Sequence, residues 1–132
     1  MRITGQGMGT QLDSQQLNWL DAGIEHFNAS RFWHAHEDWE DLWKSLKGVA
    51  PQEEVDGIQG LIQIAAMLLN HERKKVRGVV NLWNKSSVKL QPVIEGLFGI
   101  DVATLYSKVE PFSVDVDGFF LDPKTVKIEQ QG

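Results

Sequence analysis

The side chains best equipped for chemistry gather in two short stretches. One is His36-Glu37-x-x-Glu40 with Trp43 a turn further on, and the other is Gln59-Gly60-x-x-Gln63 with Asn70 and His71 downstream. His36 and Glu40 stand four residues apart, the spacing that lets two helical side chains reach a common point. They are therefore the candidate catalytic residues, an imidazole base with an orienting carboxylate. They are also the candidate metal ligands, because the pattern is one residue away from the zinc motif His-Glu-x-x-His, with Glu40 in place of the second histidine. A divalent metal would need further ligands, for which His34, His71 or Glu37 are available.

A structural role competes with both. Buried polar groups in helical bundles usually bond one another, and His36, Glu37, Glu40, Trp43, Gln59, Gln63, Asn70 and His71 could close into a satisfied polar cluster. The amides of Gln59 and Gln63 lean that way, being good hydrogen-bond partners and poor metal ligands. The leading expectation is a non-catalytic helical module, self-associating, whose polar core fixes helix register. The alternatives are a small metal-dependent or acid–base enzyme, such as a hydrolase, and a binder of a small apolar or aromatic ligand lodged between Trp39 and Trp43.

These residues need helices to hold them, and the apolar spacing supplies helices. Leu17, Leu20, Ile24 and Phe27 recur at steps of three and four, predicting a first helix over about 14–28, capped by Asp13 with Gln16 completing a capping box. Ser30 is the expected cap of a second helix over about 31–46, whose stripe is Phe32, Ala35, Trp39, Leu42 and Leu46. Lys44 and Lys47 suit its C-terminal dipole and Gly48 stops it. Pro51 opens a third helix reaching about Lys75, with Val55, Ile58, Ile62, Ala65 and Leu69 on one face. On a helical wheel His36 and Glu40 fall at the rim of the second stripe, and Gln59, Gln63 and Asn70 at the rim of the third. Two helices packed along those rims would bring the groups together.

A fourth helix follows from about Arg77 to Pro92, and Asp101 caps a short fifth through about Lys108. The basic run His71-Glu-Arg-Lys-Lys-Val-Arg77 closes the third helix, where cations offset the dipole. Residues 1–12 are expected to form a flexible arm, 13–110 the bundle, and 111–132 a tail packed on it. That tail is extended or a short hairpin turning at Asp117-Gly118, the extended form being favoured because an isolated hairpin is marginal in water. The fold class is all-α: a compact antiparallel helical bundle of four to five helices.

Composition narrows the function classes. The net charge of −5 opposes phosphate neutralisation, so no nucleic acid is expected. The longest apolar run, Leu61 to Leu69, is broken by Gln63 and is too short for a bilayer, so no membrane partner is expected either. With no cysteine, thiol chemistry and disulfides are excluded, which fits a reducing cytoplasm. Neither a P-loop nor a nucleophile elbow is present. The expected partner is a second copy, as a homodimer or larger homo-oligomer, with Trp33 off the apolar stripe as the best interface candidate; a small-molecule ligand is the other.

Phe27-Asn28, Phe32, Ala35-His36-Glu37-x-x-Glu40, Trp43, Gln59-Gly60-Leu61-Ile62-Gln63 and Ala65-Ala66, followed by Arg77-Gly78-Val79 and Leu82, resemble the bacterial, archaeal and plastid family known as domain of unknown function 309. The resemblance spans about residues 17–108 and implies a compact antiparallel helical bundle, without implying a reaction. Members often carry histidine near the position of Leu69-Asn70, whereas here it stands at His71. The motif residues His36, Glu37, Glu40, Gln59 and Gln63 match; the chain after Pro111 resembles nothing in that family.

Overall fold

The computed structural model describes residues 10–131. The first nine residues of the expected N-terminal arm lie outside that range. At its described end, Thr10 gives its backbone N–H and hydroxyl to the Glu54 carboxylate at 3.2 and 2.6 Å.

Helix α1 spans Ser14–Asn28. Asp13 accepts from the Gln16 amide at 2.8 Å and Gln16 returns its side-chain oxygen to the Asp13 N–H at 2.9 Å, so the capping box forms as the sequence predicts. Leu20, Ile24 and Phe27 are buried. The helix closes with Ser30 in the left-handed region (φ 64), its N–H on the Phe27 carbonyl and that of Arg31 on the His26 carbonyl. Those two bonds are a Schellman closure, which reverses the chain in three residues. Ser30 therefore ends α1 instead of capping α2: no side chain caps α2, which begins beyond Arg31.

Helix α2 covers Phe32–Leu46 and buries Phe32, Ala35, Trp39, Leu42 and Leu46, the stripe read from the spacing. Gly48, at φ 77, turns the chain toward α3. Helix α3, Gln52–Glu72, is the central element. It is buried on most of its circumference, leaving half-buried Asp56, Gln59, Gln63, Ala66 and Asn70 as one stripe at steps of three and four. It closes like α1, with Lys74 at φ 57 and the Lys75 N–H on the Asn70 carbonyl. The basic run at 71–77 thus contains a helix stop.

Helix α4 spans Val76–Leu90 and runs antiparallel to α3. A Cβ on Gly78 would overlap the Asn70 side chain near the connection, and one on Gly60 would press on Leu90 at the other end. Both glycines let the two backbones approach. Packing runs between sequence neighbours, α1 on α2, α2 on α3 and α3 on α4. After a 3-10 turn at Gln91–Val93, Asp101 caps α5 (Val102–Val109) through the Thr104 amide. The result is the expected all-α bundle, and the described residues contain no strand.

Beyond Pro111 the chain forms 3-10 turns at Glu110–Ser113 and Pro123–Thr125, with Asp117-Gly118 in the loop between them and no hairpin. Val126 and Ile128 are buried against the bundle. Asn28 holds this stretch from the end of α1, donating to the Ile128 carbonyl at 3.2 Å and accepting its N–H at 2.7 Å.

Candidate functional site

Helices α2 and α3 are joined by the short Lys47–Pro51 connection and pack along their length. His36 precedes that connection by about as many residues as Gln63 follows it, and Glu40 and Gln59 stand in the same relation. At a common rise per residue, each pair lies at one level of an antiparallel hairpin. All four side chains, with Trp43, are half-buried, as rim positions should be, while Glu37 is exposed. Trp33 lies flat against His36, ring centres 4.9 Å apart and planes 9° from parallel. Trp33 itself remains 54% exposed.

The hydrogen bonding departs from expectation. His36 Nδ1, Trp43 Nε1 and Gln63 Oε1 are buried atoms with no hydrogen-bond partner among the described residues. Imidazole–carboxylate pairs within 4.0 Å are made by His26 with Asp38 and by His71 with Asp115, and His36 makes none with Glu40 or Glu37. A base–orienter pair at His36 is therefore not formed. Nor do any three His, Asp or Glu groups among the described residues come together as a metal-binding cluster.

Asn70 and His71 are engaged elsewhere. Asn70 donates to the Ala66 carbonyl of its own helix at 2.8 Å. His71, 2% exposed, gives its Nε2 hydrogen to Asp115 at 2.8 Å and sits edge-on to Phe112 and Phe119. Asp115 also accepts the amides of Phe120 and Leu121 at 2.9 and 2.8 Å. Burial works to raise the Asp115 pKa, but the amides of Leu121 and Phe120, together with His71, outweigh it and hold the carboxyl below its ordinary range. Trp39 forms no pocket wall: it is fully buried on Phe27 and Gly23, and its indole N–H donates to the Leu20 carbonyl at 3.3 Å. A shallow cleft of about 300 Å³ lies instead beside the tail, lined by Lys108, Pro111, Phe112, Leu121, Thr125 and Val126.

Two features escaped the sequence-based expectations. Asp115 sits in a segment with no helical period, so nothing in the pattern ties it to His71. The His26–Asp38 bond, at 2.7 Å, has a faint signal: Asp38 is one turn beyond His34, and His26 and His34 are equidistant from the Schellman turn.

Residues 20–82 match the family model described as domain of unknown function (DUF309). The matched stretch contains α2 and α3 entire and stops within α4. No curated protein and no solved structure matches the chain.

Proposed function

We propose that this chain, similar over residues 20–82 to domain of unknown function 309, is a non-catalytic helical module that self-associates along the α2–α3 margin. The observation that carries the proposal is Trp33, which is 54% exposed on α2 and laid flat on His36. The stacked pair presents a large aromatic face of the kind enriched at interfaces. In this scheme the aromatic face meets its own copy across a two-fold axis, so each contact is repeated by symmetry.

Sedimentation equilibrium of the full chain tests this. Wild-type protein is expected to be dimeric, and Trp33→Glu monomeric with unchanged helical circular dichroism. A wild-type chain that stays monomeric up to roughly millimolar concentration, which would limit any association to about 4 kcal/mol or less, would overturn the proposal.

A further inference from the structure

At the other edge of α2, His26 in the last turn of α1 and His34 in the first turn of α2 meet across the Schellman turn, their ring centres 5.3 Å apart. We propose that these two imidazoles form a binding site for a divalent transition cation, with Asp38 as the positioning residue. A carboxylate only accepts, so the His26 Nδ1 that lies 2.7 Å from Asp38 Oδ2 carries the hydrogen. In the neutral ring this leaves the His26 Nε2 lone pair bare. A carboxylate behind one ring nitrogen is how proteins commonly orient a histidine whose other nitrogen ligates metal.

The separation of the rings fits such a role. Metal–nitrogen bonds of about 2.0–2.1 Å at a tetrahedral angle set two imidazole centres roughly 5 Å apart. The rings are tilted by 43° to each other, so they are not stacked face to face. His26 is 28% exposed at its side chain and His34 lies on the open surface, so a hydrated ion can enter. Among the described residues no third His, Asp or Glu joins them at one point. The site therefore offers two nitrogens, Asp38 stays behind His26, and water completes the shell. Nitrogen donors without hard oxygens select zinc, nickel or copper over magnesium or calcium. Because one imidazole comes from each helix, the bound ion ties α1 to α2.

The site is separate from the α2–α3 margin, since His34 and His36 point to different sides of α2. Titration of the tag-free full chain with Zn²⁺ or Ni²⁺, by calorimetry or chelator competition, is the test. One equivalent is expected to bind and to raise the melting temperature. His34→Ala, a surface change that leaves the fold intact, is expected to lower affinity at least tenfold and to abolish the metal-dependent melting shift. Asp38→Asn is expected to weaken binding about 10–100-fold, and His36→Ala to leave it unchanged. No binding by wild type, binding that survives His34→Ala, or binding lost in His36→Ala would overturn the proposal.

Discussion

Gly23 and Trp39 show how much can rest on a single contact. A Cβ at residue 23 would overlap the indole that donates to the Leu20 carbonyl, and that indole is fully buried with no room to retreat. Gly23→Ala is therefore expected to destabilise the protein by about 1–3 kcal/mol through overpacking, measured as a shift in the urea midpoint. His36 behaves in the opposite way. Nothing among the described residues bonds its Nδ1, so His36→Ala strands no partner inside the chain. Its cost to the monomer is expected to stay within about 1 kcal/mol, while the dimer constant weakens. A loss of several kcal/mol in the monomer would instead indicate a closed internal network.

At the scale of elements, the helices follow the apolar spacing closely, and the differences fall at their ends. The Asp13 and Asp101 caps were legible because a carboxylate accepting an amide three residues on is a local event. Ser30 was not, because cap and left-handed closure draw on the same small polar residues, and only the path into α2 decides between them. Asp13→Ala should cost about 1 kcal/mol, seen as a lower melting temperature. Ser30→Gly should do the reverse, because glycine meets φ 64 without the roughly 1–2 kcal/mol that a Cβ costs there, offset in part by its freer unfolded chain. A small net rise in the urea midpoint, under about 1 kcal/mol, is the expected result.

For the whole molecule, the tail beyond Pro111 acts as a strap. It is fastened at Asn28 by two bonds to Ile128 and at His71 through Asp115. Asn28→Ala should raise hydrogen exchange at residues 126–130 more than in α3. Asp115 gives the strap a pH dependence with a definite sign. Its folded pKa lies below the ordinary aspartate value, so its contribution is complete above about pH 4 and is lost as pH falls through the depressed folded value. Acid unfolding monitored by circular dichroism should therefore begin at higher pH in Asn28→Ala, where the strap has lost one of its other fastenings. The loop that Asp115 holds presents Phe120 at 88% exposure, and 1-anilinonaphthalene-8-sulfonate binding is expected to be reduced in Phe120→Ser.

Read alone, the residues determined the helices, their buried stripes and the rim positions of His36, Glu40, Gln59 and Gln63, because each follows from spacing within about one helical turn. The tertiary structure decided which polar groups actually meet. His71 goes to Asp115 and His26 to Asp38, while His36 Nδ1 meets no partner among the described residues. The reason is physical: a hydrogen bond needs its partner within about 3 Å, and a wheel defines a face without defining what a distant segment brings to it.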